Sequence, residues 1–158
     1  MQKIRPFLWF DKEAEEATNF YISVFKNSRV LEVARYGAAG PGPAGSVMTV
    51  TFVLDGQEFI ALNGGPHFRF TEAVSLFVTC EDQAEVDYFW DKLMAGGGQP
   101  VECGWLKDRF GLSWQVVPAG LMTMLHDPDA ARSERVMRAM LQMVKLDIAA
   151  LQRAYDGE

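Results

Sequence analysis

Pro6-Phe7-Leu8-Trp9-Phe10-Asp11-Lys12-Glu13-Ala14-Glu15-Glu16-Ala17-Thr18-Asn19-Phe20-Tyr21-Ile22-Ser23-Val24-Phe25 decides the fold, because its pattern recurs 69 positions further along the chain. The short aromatic run over residues 4–10 reads as a buried strand, and Asp11 is placed to cap a helix over about residues 12–25. Ala17, Phe20, Tyr21, Val24 and Phe25 recur at three- and four-residue spacing, with Glu13, Glu15, Glu16 and Lys26 on the other side. Such a helix lays one face on a sheet. Sliding the chain along itself places these five apolar residues over Val86, Phe89, Trp90, Leu93 and Met94, and places Pro6 over Ser75.

Outward from the repeat, residues 28–36 alternate as a second strand, and the Gly- and Pro-rich segment 37–45 reads as a mobile loop. Residues 47–54 and 57–63 form the clearest hairpin, joined by Asp55-Gly56 as a type I′ turn. A loop carrying Gly64-Gly65-Pro66 and His67 leads to a strand over 73–80. A helix follows, capped by Asp82 with Glu85 three residues on, and Gly96-Gly97-Gly98 ends it. Residues 102–107 and 112–117 read as strands joined by a turn through 108–111. Helices follow from Leu121, with a start at Asp127-Pro128-Asp129 and a second cap at Asp147.

A βαβββ unit occurring twice predicts an α+β protein. Its two mixed sheets would combine into one curved sheet around a cavity, with the repeat helices outside and further helices at the C-terminal end. A length of 158 residues predicts one domain: repeat one over about 1–66, repeat two over about 67–118, and a helical extension over about 119–158.

Composition narrows the partners. A formal net charge of -6 with scattered Lys and Arg excludes a nucleic-acid backbone or an anionic leaflet as the expected partner. The N-terminal residues lack the apolar run of a signal peptide and no stretch is long enough to span a membrane, so a cytoplasmic location is expected. Cys80 and Cys103 are far apart and unflanked by His, which offers no zinc spacing; they read as small buried hydrophobes.

The order of elements resembles the vicinal-oxygen-chelate superfamily of glyoxalases, extradiol dioxygenases and bleomycin-resistance proteins. Within it, Pro6-Phe7-Leu8-Trp9-Phe10-Asp11, Asn19-Phe20-Tyr21, Gly64-Gly65-Pro66 and the longer Cys103-Gly104-Trp105-Leu106-Lys107-Asp108-Arg109-Phe110-Gly111-Leu112-Ser113-Trp114-Gln115 are similar to the PhnB-like branch, labelled demethylubiquinone-methyltransferase-like. The resemblance is read as extending through the C-terminal helices. It implies four metal-ligand positions inside the cavity, which fall here on Pro6, Ala61 (or Asn63, two residues on), Ser75 and Gln115. Pro6 and Ala61 have no side-chain donor, and neutral oxygens from Ser75, Gln115 or Asn63 do not offset the dehydration of a catalytic divalent ion. No metal and no cofactor are therefore expected.

The expected function is small-molecule binding in the cavity, with Gln115, Ser75, Asn63, Phe77 and His67 as ligand-binding residues. The alternative is an enzyme, a lyase, isomerase, dioxygenase or methyltransferase-like protein, using His67, Gln115 and Cys103. His67 also reads as a solvated loop residue. Trp9, Phe70, Trp105 and Trp114 suit a pocket for a planar ligand or a packed core, and alternation from Pro6 and Gln115 sends Trp9 and Trp114 away from the cavity. Lys107-Asp108-Arg109 reads either as an anion-binding turn or as a solvated turn in which Asp108 accepts backbone hydrogen bonds. Methyl transfer finds no support, since an adenosyl cofactor calls for a Gly-rich turn between strand and helix, whereas Gly96-Gly97-Gly98 follows a helix. A homodimer is the expected assembly, and Met122, Met124, Met137, Met140 and Met143 mark the C-terminal region as a candidate adaptable surface.

Overall fold

A computed structural model describes residues 2–158. The described residues divide into two compact units, 2–70 and 71–158. In the first unit the elements are β1 (Phe7–Phe10), α1 (Ala14–Val24), β2 (Arg29–Arg35), β3 (Val47–Leu54) and β4 (Gln57–Asn63). In the second they are β5 (Ser75–Cys80), α2 (Gln83–Met94), β6 (Gln99–Pro100), β7 (Trp105–Lys107) and β8 (Ser113–Pro118). Three helices follow: α3 (Leu121–Leu125), α4 (Ala130–Leu141) and α5 (Ile148–Asp156).

Each unit holds a four-stranded mixed sheet of the same order, β1-β4-β3-β2 and β5-β8-β7-β6. In both, the first strand pairs parallel with the last, and the last pairs antiparallel with the one before it. The α+β class and the duplicated βαβββ order stand as expected. β3 and β4 match the expected hairpin to the residue, and Asp55 and Gly56 both have positive φ, as a type I′ turn demands. The two-residue strand β6 has no periodicity to betray it. Segment 37–45, expected to be mobile, is closed at its base, where the Tyr36 N–H donates to the Ser46 carbonyl and the Gly45 N–H to the Tyr36 carbonyl, both at 2.8 Å.

Sheet one has one densely buried face. Leu8, Phe10, Val50, Phe52, Leu54, Phe59 and Ala61 share it by register and are all buried. Asn63 is on the same face and holds the start of α1, whose buried Ala14, Ala17, Tyr21 and Val24 complete the layer. Burying each larger apolar side chain contributes about 1.5–3 kcal/mol. The opposite face carries Phe7, Trp9, Ile60 and Leu62, and is less covered.

This arrangement overturns the alternation expected from Pro6. Leu8 and Phe10 lie under α1 and Trp9 on the far side, the reverse of the expectation. In the second unit Leu106, Trp114, Val116 and Cys80 lie on the face covered by α2, through its buried Val86, Trp90 and Leu93. The helices do superimpose at a shift of 69, Ala17, Tyr21 and Val24 matching Val86, Trp90 and Leu93. The strands superimpose at 70: Phe10, not Asp11, corresponds to Cys80. The connection from β1 to α1 is one residue longer than that from β5 to α2. A slip of one residue exchanges the two faces of a strand.

The expected Asp11 cap is also corrected. Glu13 occupies the N-cap position of α1 and its side chain makes no cap hydrogen bond. Asn63 supplies the missing acceptor from the end of β4: its Oδ1 accepts from the Ala14 N–H at 2.8 Å, and its Nδ2 donates to the Val47 carbonyl at 3.1 Å. Asn63→Ala leaves both backbone groups without these partners, and urea unfolding should show a loss of about 2 kcal/mol. The caps at Asp82, Asp129 and Asp147 each accept a backbone N–H, as the sequence led one to expect.

The C-terminal helices form their own small core on the second unit. Val117, Leu121, Val136, Leu146 and Leu151 are its buried members, with Met124, Met140 and Met143 packed against them. Three of the five methionines read as adaptable surface are therefore interior packing, while Met122 and Met137 are exposed. The segment after α4 is tied on by backbone bonds, Cys103 N–H to the Met143 carbonyl at 2.9 Å and Gly104 N–H to the Val144 carbonyl at 2.8 Å. The Gln83 amide adds two more, accepting from the Ile148 N–H and donating to the Leu146 carbonyl.

Candidate functional site

On the face of the second sheet away from α2, register sets two rows of side chains across the strands. Ser75, Ser113 and Lys107 form one row, and Phe77, Gln115 and Trp105 form the next. Gln115 Nε2 donates to Ser75 Oγ at 3.0 Å. Phe77, on the edge strand β5, is 50% exposed, while Trp105 and Gln115 are half-buried. This arrangement offers an amide carbonyl and a hydroxyl between two aromatic side chains, which suits a small planar ligand with a few polar atoms.

Three of the five expected ligand-binding residues, Ser75, Phe77 and Gln115, thus share one face. Asn63 is in the first unit, on the face covered by α1, with its amide committed to the α1 cap. His67, also in the first unit, is exposed and makes no hydrogen bond or ion pair among the described residues. It follows Gly64-Gly65, whose role is packing. A Cβ at Gly64 would overlap the Trp9 indole, and Trp9 Nε1 donates to the Gly65 carbonyl at 2.8 Å. Phe68 meets Trp9 edge-on at 4.9 Å and Phe70 meets Phe10 edge-on at 5.2 Å.

The register also corrects the positions implied for metal ligands in the first unit. Phe77 is opposite Gln115 and Phe7 is opposite Ile60, so the counterparts of Ser75 and Gln115 are Arg5 and Ile60, not Pro6 and Ala61. Arg5 is a cation paired with Glu58 at 3.4 Å, and Ile60 has no donor. These residue types do not fit a divalent metal, and no group of three or more His, Cys, Asp or Glu suited to one occurs among the described residues.

In the Lys107-Asp108-Arg109 turn Arg109 is exposed, and Asp108 accepts backbone hydrogen bonds as expected, but from a buried position. Its Oδ1 accepts from the Phe110 and Leu112 N–H groups at 2.9 and 3.1 Å, while its Oδ2 accepts from Trp114 Nε1 at 2.9 Å. Much of the Cys103 to Gln115 stretch is thus a structural unit that holds β7 and β8 in place. Trp114 is core beneath α2, as alternation from Gln115 predicted.

Neither cysteine is primed for nucleophilic chemistry. Burial, reinforced by the negative charge of Glu85, pushes the Cys80 thiol up to about 11, and burial followed by Glu102 raises Cys103. A small disulfide reagent at pH 8 should therefore leave Cys80 unmodified in the native protein and react slowly with Cys103. Denaturant should release the second thiol, and counting modified thiols per chain checks this.

Two mixed βαβββ sheets of the same strand order are the architecture of the vicinal-oxygen-chelate fold. A family model described as 3-demethylubiquinone-9 3-methyltransferase matches residues 2–117, and the chain belongs to that family, the PhnB-like branch. A Bacillus cereus PhnB protein bearing the same methyltransferase name is 42% identical, with a TM-score of 0.68 over 75% of this chain and all of the other. Protein PA1353 from Pseudomonas aeruginosa shares the fold at 22% identity and a TM-score of 0.61, covering 75% of this chain and 98% of its own. The fosfomycin resistance protein FosX from Listeria monocytogenes, in its hexagonal form, shares it at 14% and 0.50, covering 72% and 89%. Comparison with curated proteins yields no match. The family match ends at Val117, so the C-terminal helices, expected to fall within the resemblance, lie outside it. No helix among the described residues is long and apolar enough to cross a membrane.

Proposed function

We propose that this chain is a small-molecule-binding protein whose ligand rests on the α2-distal face of the second sheet, touching Gln115, Ser75 and Phe77, without a metal. The observation that carries the reading is the Gln115–Ser75 hydrogen bond beside a half-exposed phenylalanine. The Gln115 amide donates to Ser75, leaving its carbonyl to accept and the Ser75 hydroxyl to donate. The family's methyltransferase name does not by itself supply a cofactor site: Gly96-Gly97-Gly98 lies after α2, where it ends a helix instead of cradling a phosphate.

A thermal-shift screen of small planar compounds, repeated on Gln115→Leu, tests the reading. Compounds that stabilise the parent protein should lose that effect in the variant, and retention of every shift would defeat it. Stoichiometric uptake of a divalent ion by the chain's own side chains would equally overturn the metal-free part. The acidic composition and two free thiols support a cytoplasmic location. A homodimer is favoured by β2, an edge strand exposing Val30, Leu31 and Val33, and a monomer in light scattering would remove that assembly.

A further inference from the structure

The row beside Gln115 has its own chemistry. Among the described residues only two buried side-chain polar atoms lack a hydrogen-bond partner, and one is Ser113 Oγ, in a residue 1% exposed. A buried hydroxyl without a partner is costly, and such a group calls for an explanation. Ser113 lies in register between Ser75 and Lys107. Lys107 is half-buried and its ammonium is ion-paired with Glu72, from the segment that leads into β5. That hydrogen bond to Lys107 is the first cause holding the Glu72 carboxyl below its usual range. Glu72 itself is exposed. Its carboxylate therefore sits where an incoming anion would meet Lys107, at the edge of a platform whose next row is Phe77, Gln115 and Trp105.

We propose that this face binds a planar, largely apolar molecule bearing a carboxylate. The carboxylate displaces Glu72 from Lys107 and accepts from the Ser113 hydroxyl, while the ring lies between Phe77 and Trp105. The inference rests on the binding face argued above and adds the charge of the ligand. Physical complementarity supports it. The Glu72 partner of this pair is exposed and flexible, so exchanging one carboxylate for another on Lys107 costs little, and the gain comes from the uncommitted hydroxyl and the exposed aromatic surface. A neutral ligand of the same shape carries no charge with which to displace Glu72 from Lys107.

The test uses the full chain labelled with 15N, with 1-naphthoate and 1-naphthamide as a matched charged and neutral pair. The side-chain amide signal of Gln115, identified by its loss in Gln115→Leu, reports on the face. Naphthoate should shift that signal, bind roughly fivefold tighter to Glu72→Gln, where the competing charge is gone, and bind at least about tenfold weaker to Lys107→Met. Naphthamide should bind more weakly than naphthoate and respond little to either substitution. Equal binding of the two probes, or no gain in Glu72→Gln, would overturn the anion subsite while leaving the binding face intact. Absence of any shift at Gln115 with either probe in all three proteins would overturn the subsite too, and the compound screen would then judge the face separately.

Discussion

Asp108→Ala should lower the stability of the second unit by about 4 kcal/mol, the largest single-residue effect expected outside the apolar core. The physical reason is the number of donors that converge on one buried carboxylate. Two backbone N–H groups of the β7–β8 turn and the Trp114 indole all point at it, at 2.9 to 3.1 Å. Alanine removes every acceptor at once and leaves donors buried with Trp114, which is 2% exposed. Asp108→Asn keeps one acceptor oxygen and should cost about half as much, roughly 2 kcal/mol. Urea unfolding followed by tryptophan fluorescence would measure both. An Asp108→Ala protein within about 1 kcal/mol of the parent would show that the turn does not depend on this carboxylate.

The second large effect is expected at Gly104, where the turn before β7 meets the C-terminal helices. Gly104 has φ near +83°, and a Cβ there would lie 2.9 Å from both Leu146 Cδ1 and the Val116 carbonyl oxygen. The carbonyl belongs to β8 and cannot move without breaking the ladder, since the Val116 N–H donates to the Gly104 carbonyl. Leu146 is the flexible party, so relief comes by pushing it out of the small core it shares with Val117, Leu121, Val136 and Leu151. Gly104→Ala should therefore cost about 3 kcal/mol, combining left-handed backbone strain with overpacking. It should also loosen the segment holding Met143 and Val144 more than β5 or α2. Hydrogen exchange at the Gly104 amide, whose partner is the Val144 carbonyl, is the sharper readout. Unchanged protection there would refute the coupling between this turn and the extension.

These two positions also separate what was legible from what was not. Asp108 reads in the sequence as a turn residue able to accept backbone hydrogen bonds, which it does. That it is buried, and that Trp114 completes its shell, required β7 and β8 to be paired. Gly104 belongs to a motif that signals the family, yet its partners are Leu146 and the chain after α4, far along the sequence and beyond the family match. Asn63 shows the same limit. Its type suits ligand binding, and only the parallel pairing of β1 with β4 brings it to the N–H of Ala14.

By itself the sequence determined the α+β class, the doubled βαβββ order, the β3–β4 hairpin and the apolar faces of α1 and α2. These rest on local periodicity, turn chemistry and the internal repeat, whereas Ser75 and Gln115 came together only through the family resemblance and the parallel pairing of β5 with β8. The tertiary structure alone decided which face of β1 meets α1, because the connection to the helix is one residue longer there than after β5. Helical periodicity carries no record of that extra residue, whereas a strand changes face with every step.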